Sequence, residues 1–191
     1  MGLSLTVGGR TALEGLGYAH YLSAQMRDVH LYGPIRAPTW LADLPLDVDF
    51  HWHNSLRLFP GDADVPAAPQ PVMYSAASMS LPIRYSSKER ALLELLDELP
   101  HRESFHQADM LMQGMTDLSP RRLQTLLEAC ASVKVKRLFF FFADRHRHAW
   151  RSRLDMGRVD LGAGKRVLVK GGKLDPTYQI TVPSELAAER P

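Results

Sequence analysis

Asp47 and Asp49 stand two residues apart, Asp47 just before and Asp49 within the alternating stretch Val48-Asp49-Phe50-His51-Trp52-His53, and on a strand that spacing puts both carboxylates on one face. Such a pair can hold a catalytic metal. Nucleotidyltransferases that use one also need a Gly-Ser turn just upstream to grip phosphate, and the turn present here is Gly33-Pro34. Asp62 and Asp64 form another pair, but they sit in a Pro-rich run over 60–71 and read as solvated. A metal-dependent hydrolase or nuclease built on Asp47 and Asp49 is the minor alternative that these residues support.

The histidines also come in pairs, His51/His53 and His146/His148. On a strand, His51 and His53 share a face. Two imidazoles do not complete a zinc site, and no Cys cluster or His-Glu-x-x-His motif adds the missing ligands. Gly162-Ala163-Gly164-Lys165-Arg166 resembles the end of a phosphate loop, yet the positions that must be Gly and Ser or Thr are Val159 and Arg166. It reads as a basic turn before a strand. Ser, His and Asp all occur, but no Gly-x-Ser-x-Gly elbow presents a nucleophile. The single Cys130 lies in the apolar helical pattern Leu126-Leu127-Glu128-Ala129-Cys130 and reads as a small buried hydrophobe. No catalytic residues, metal ligands or cofactor are assigned, and the chain reads as a non-enzyme.

The charge distribution is the stronger signal. Net charge is +2, yet residues 1–120 hold 8 Lys/Arg against 14 Asp/Glu, whereas residues 121–173 hold 14 against 4. One contiguous third is thus strongly basic, which suits a polyanion or an acidic protein surface as partner. The candidate binding residues are Lys134, Lys136, Arg137, Arg145, Arg147, Arg151, Lys165, Arg166, Lys170 and Lys173. On a helix, Lys134 and Arg137 would share a face opposite the apolar stripe, as a recognition surface or simply a solvated one.

The elements that must position these groups follow from pattern. Short strands are expected at 5–7, 28–32, 48–53, 72–75 and 81–84, with a short helix at 10–16 and a helical turn at 39–44. Helices follow: one capped by a Ser86/Glu89 box and stopped by Pro100, one opening at Ser104, one opening at Ser119-Pro120. The stretch 133–143 reads as a helix because Val135, Leu138, Phe139 and Phe142 recur at i, i+3, i+4 and i+7. Strands 166–170 and 178–182, joined through Gly171-Gly172-Lys173-Leu174-Asp175-Pro176, suggest a closing hairpin. The fold class is α+β (mixed α/β), a single domain over 1–191 with a strand/helix part (1–85), a helical part (86–155) and a hairpin and tail (156–191). With 45% apolar residues, no apolar run near the roughly 18 residues of a membrane span, no signal-peptide pattern and one cysteine, the chain is expected to be cytoplasmic, with no membrane contact.

Several ordered segments resemble AbiEi-type antitoxins of type IV toxin–antitoxin (abortive infection) systems. They are Val7-Gly8-Gly9-Arg10-Thr11-Ala12-Leu13-Glu14, His30-Leu31-Tyr32-Gly33-Pro34, Ser86-Ser87-Lys88-Glu89-Arg90-Ala91-Leu92-Leu93-Glu94, Ser132-Val133-Lys134-Val135-Lys136-Arg137-Leu138-Phe139 and Asp160 through Gly172, continuing to Tyr178-Gln179-Ile180-Thr181-Val182-Pro183. The resemblance implies a bacterial antitoxin whose functional partner is a nucleotidyltransferase-like toxin, with no stable complex required. Its C-terminal domain would neutralise the toxin's effect and assist transcriptional autoregulation. Antitoxins of this kind place a DNA-binding winged helix-turn-helix before that domain. Only six residues precede Val7, so the expectation is a C-terminal domain with the usual N-terminal winged helix missing. The alternative reading is a DNA-binding transcriptional regulator acting through the basic 121–173 surface, with DNA or another nucleic acid as partner.

Overall fold

The computed structural model describes residues 5–18, 28–61 and 84–188. A mixed sheet is built from β1 (Thr6–Val7), β2 (Asp28–Gly33), β3 (Asp49–Asn54) and β4 (Arg84–Tyr85), in the order β3-β2-β1-β4. β1 runs antiparallel to β2 and parallel to β4, while β2 and β3 are parallel over six residue pairs, Asp28↔Asp49 to Gly33↔Asn54. α1 (Gly9–Gly15) leaves β1 through Gly8. A 3₁₀ turn at Thr39–Asp43 stands where the helical turn was expected. The strand read at 72–75 and the Pro-rich run beyond Gly61 lie outside the described residues. Of the strand read at 81–84, only Arg84 falls within them, as the first residue of β4.

The helical layer comprises α2 (Lys88–Asp97), α3 (Phe105–Gly114), α4 (Pro120–Ala129) and α5 (Val133–His146). Ser87, Ser104, Ser119 and Ser132 each accept a backbone N–H at the N-cap, satisfying donors that the first turn leaves free. The α2 cap corrects the expected Ser86/Glu89 box by one residue. The Ser86 hydroxyl is drawn inward to Glu94 (3.1 Å), and Glu89 reaches across to the Ser119 amide (2.9 Å), tying α2 to the start of α4.

α5 is the helix expected from its i, i+3, i+4, i+7 stripe, but it is buried all round. Phe139, Phe140, Phe141 and Phe142 are each at most 1% exposed, which a one-sided stripe does not foresee. Burial of each contributes roughly 1.5–3 kcal/mol, and four in succession make α5 the axis of the core. α2, α3 and β6 (Ile180–Val182) pack against it. The buried apolar residues, Val7 through Leu186, form one continuous cluster.

The closing hairpin exists, but its first arm is not 166–170. β5 (Lys173–Asp175) pairs antiparallel with β6, inside what was read as the turn. Arg166 makes only an isolated parallel bridge to Ile180. The Thr181 hydroxyl accepts the amides of Leu168 (2.8 Å) and Val169 (3.0 Å), and Gly172 N–H closes on the Val169 carbonyl. That turns the chain before it can extend along β6. α6 (Ser184–Ala188) ends the described chain.

Candidate functional site

The ten basic candidates divide by where their side chains go. Lys134 folds back on the C-terminal end of α2. It meets the Asp97 carboxylate at 3.3 Å and donates to the carbonyls of Leu99 (3.0 Å) and Asp97, where the helix leaves acceptors free. Lys136 is buried. Arg145 bridges Asp109 (2.9 Å) and the Leu186 carbonyl (3.1 Å). Arg151 pairs with Asp144 (2.6 Å) and stacks over Phe140. Arg147 is exposed and ends α5 in the left-handed conformation.

Arg137 is the most informative of this inward group, at 3% exposed. Its guanidinium faces no carboxylate among the described residues. It donates instead to four main-chain carbonyls: Leu161 (2.7 Å), Gly162 (3.0 Å), Gly164 (2.6 Å) and Gln179 (3.3 Å). The planar fork of five donors suits such a ring of acceptors. Burial and the nearby Arg166 charge both push the guanidinium below its ordinary pKa.

Lys165, Arg166, Lys170 and Lys173 form the outward group. All four are exposed, and none of their side chains has a hydrogen bond or ion pair among the described residues. They ride on the Gly-rich loop that Arg137 gathers and on the start of β5. Gly162 and Gly164 take positive φ (60° and 76°), which glycine adopts without the Cβ penalty. At Gly162 a Cβ would also lie 2.9 Å from Val133 Cγ2, so the loop is seated directly on α5.

The carboxylates and histidines assemble differently from a metal site. Asp47 and Asp49 are both exposed, and Asp49 stands opposite Asp28 in the β2–β3 register. His51 pairs with Asp28 (2.7 Å). His53 lies between Glu98 (3.1 Å) and His30 (2.9 Å), its ring stacked on both His30 and Tyr32. Among the described residues, no three His, Cys, Asp or Glu side chains are placed to hold a metal ion. Burial, followed by the His53 charge, pushes His30 down to about 4. Glu98 is raised by burial but drawn below its ordinary value by the His53 hydrogen bond. The relay Glu98–His53–His30 thus fastens the sheet to the end of α2. The His51/His53 spacing hinted at one side of it. Nothing in the sequence tied them to His30 or Glu98. His146 and His148 are anchored on Asp109 (2.8 Å) and the Met112 carbonyl (2.7 Å). Cys130 is buried, and desolvation pushes its thiol up to about 11, so it packs as a hydrophobe.

Residues 26–183 match the family profile described as transcriptional regulator, AbiEi antitoxin, type IV toxin–antitoxin system. The chain belongs to the AbiEi antitoxin family. The match takes in β2 and β3, the whole helical layer and the β5–β6 hairpin with its basic loop. No curated protein matches the antitoxin's sequence. Among solved structures, the RV2827C protein from Mycobacterium tuberculosis is similar, with a TM-score of 0.55 and 16% identity over 92% of this chain. That likeness is one of fold. The antitoxin chain spans 61% of that protein's length. No helix among the described residues is long and apolar enough to cross a membrane.

Proposed function

We propose that this chain is the toxin-neutralising domain of a type IV system: a non-catalytic, cytoplasmic antitoxin that counteracts a nucleotidyltransferase-like toxin and assists repression of its own operon. The observation that carries this reading is the family match over residues 26–183. It covers the basic third of the chain and the elements that hold it, so the part assigned to the family is also the part with the charge asymmetry. A stable complex with the toxin is not required. The exposed cations Lys165, Arg166, Lys170 and Lys173, with Arg147 at the end of α5, supply the surface through which it acts. Arg137 supports that surface from within, through the carbonyls of Leu161, Gly162 and Gly164.

Co-expression with the toxin encoded beside it tests the proposal. Growth arrested by the toxin alone is expected to recover when this chain is supplied from a separate promoter. Continued arrest, with the chain shown to be soluble and folded, would overturn the antitoxin reading.

A further inference from the structure

β3 is the outer strand of its sheet. In the order β3-β2-β1-β4 it pairs with β2 alone, so the N–H and C=O groups along its other edge meet no strand among the described residues. Edge strands are usually blunted by lysine, proline, a bulge or a covering segment. β3 has none of the first three: Asp49-Phe50-His51-Trp52-His53-Asn54 holds no Lys or Pro, and its register with β2 runs unbroken from Asp49 to Asn54. Apolar surface gathers around it. Of the nine exposed large apolar side chains among the described residues, Ile35, Trp40, Leu44, Leu46 and Leu56 lie in the chain that leads into β3 or leaves it. The 3₁₀ turn at Thr39–Asp43 packs on β3, and the Trp52 indole donates to the Ile35 carbonyl (3.0 Å), so patch and strand form one surface. Apolar surface concentrated in this way marks a protein contact, whereas single scattered side chains do not.

The charges along this edge select the partner. The N-terminal end of β3 is acidic, with Asp43, Asp47 and Asp49 exposed, and Arg57, also exposed, follows its C-terminal end. None of the four has an ion pair among the described residues. A second copy lying antiparallel along β3 sets each acidic end beside the other's Arg57, twice over by symmetry. A copy lying parallel would set like ends together. The strand also matches itself residue by residue. Centred on His51, antiparallel pairing places Phe50 opposite Trp52 and Asp49 opposite His53, each pair occurring twice, with His51 at the two-fold axis. Aromatic pairs directly across an antiparallel ladder are stabilising. We propose that two copies of this chain associate through β3, edge to edge and antiparallel about His51, joining their two sheets into one. The inference does not rest on the antitoxin reading: a chain that rescues growth as a monomer would sink only the edge assignment.

Sedimentation equilibrium of the whole chain tests it, at concentrations up to about 100 µM, a range that captures weak dimers. The mass is expected to rise from the 21.5 kDa of one chain to twice that value. Arg57→Glu sets acid against acid at both ends of the seam, and Asp47→Arg sets cation against cation. Each is expected to weaken the dimer about tenfold, because symmetry counts every substitution twice. The swap D47R/R57E restores opposite signs and should return the affinity to within about threefold of the parent. His51→Cys gives a reading independent of charge. Its two thiols meet at the axis, at the spacing of directly opposed residues, and oxidation should yield a covalent dimer. Gln113→Cys, exposed on α3, should not, and the native Cys130 is buried. The proposal is overturned if the mass stays at that of one chain throughout, which would leave this edge to a strand from a different protein. It is equally overturned if the dimer ignores both charge reversals, if the swap fails to restore it, or if H51C cross-links no faster than Q113C.

Discussion

The cations of α5 and those of the loop at residues 162–173 come from one basic stretch of sequence, and the fold puts them to opposite uses. On α5 and just beyond it, Lys134, Arg137, Arg145 and Arg151 turn inward and end on carbonyls or carboxylates. On the loop, Lys165, Arg166, Lys170 and Lys173 turn outward and end in water. The difference is set by what surrounds each segment. α5 is enclosed by α2, α3 and β6, so a cation on it must find acceptors or stay out of the core. The loop lies on the surface, held from below by one of those inward cations. Net charge therefore overstates the recognition surface: much of the +10 of residues 121–173 is structural.

Removing Arg137 is the most severe way to break this comparison, because that residue belongs to both halves. Arg137→Met fills similar space but strips four carbonyls of their donor. Hydrogen bonds to charged groups are worth about 1.5–3 kcal/mol each. Water can reach part of this exposed loop, so the net loss is expected to be about 2–4 kcal/mol by denaturant unfolding. Hydrogen exchange should show protection lost over residues 160–182 first. A variant as stable as the parent would mean that the loop holds its shape without the guanidinium.

How much of this was legible beforehand differs between the two groups. Lys165 was readable as a turn cation from Gly162 and Gly164, whereas nothing in the sequence separated Arg166, Lys170 and Lys173 from the inward group. The helix was readable too, from Val135, Leu138, Phe139 and Phe142. Periodicity could not show that Phe140 and Phe141 are also buried, because burial on all sides depends on three distant elements closing around α5. For the same reason Arg137 resembled a surface residue in the sequence. Gly8 gives a similar lesson. The strand before it and the helix after it were apparent, but the reason for glycine is tertiary: a Cβ there would lie 2.2 Å from Glu94 Oε2 and 2.4 Å from Tyr32 Cδ2. Glu94 is wholly buried, 86 residues further on, and accepts Gly9 N–H (3.0 Å) and Arg90 Nε (2.9 Å). The hairpin register failed at Thr181, whose hydroxyl competes with the ladder for two amides.

Acid sharpens the comparison, because it titrates the interior and leaves the loop cations fully charged. His30 has a folded pKa of about 4 against 6.5 when exposed. Between those values the unfolded chain takes up a proton that the folded chain refuses. Stability is therefore complete above about pH 6.5 and falls as pH drops toward 4, by up to about 3 kcal/mol at 1.36 kcal/mol per unit. Glu98, held below its ordinary value, adds to the loss as its own carboxylate protonates. His30→Phe is expected to flatten the stability profile between pH 6.5 and 4.5. An unaltered stability profile in the variant would remove His30 as the titrating group.

The smallest expected effect is the most discriminating. Replacing Lys165, Arg166, Lys170 and Lys173 together by Ala changes four charges, yet each side chain is exposed and has no partner to lose among the described residues. Surface substitutions of this kind usually stay within about 0.5 kcal/mol, and relief of repulsion among neighbouring cations acts in the stabilising direction. Lys134→Ala changes one charge but uncaps the end of α2 and leaves Asp97 without its ammonium, at a cost of about 1 kcal/mol. Thermal unfolding of the two variants side by side should therefore rank one charge above four. The opposite ranking would mean that the loop cations support the fold after all, and that the outward group has no surplus charge to offer a ligand.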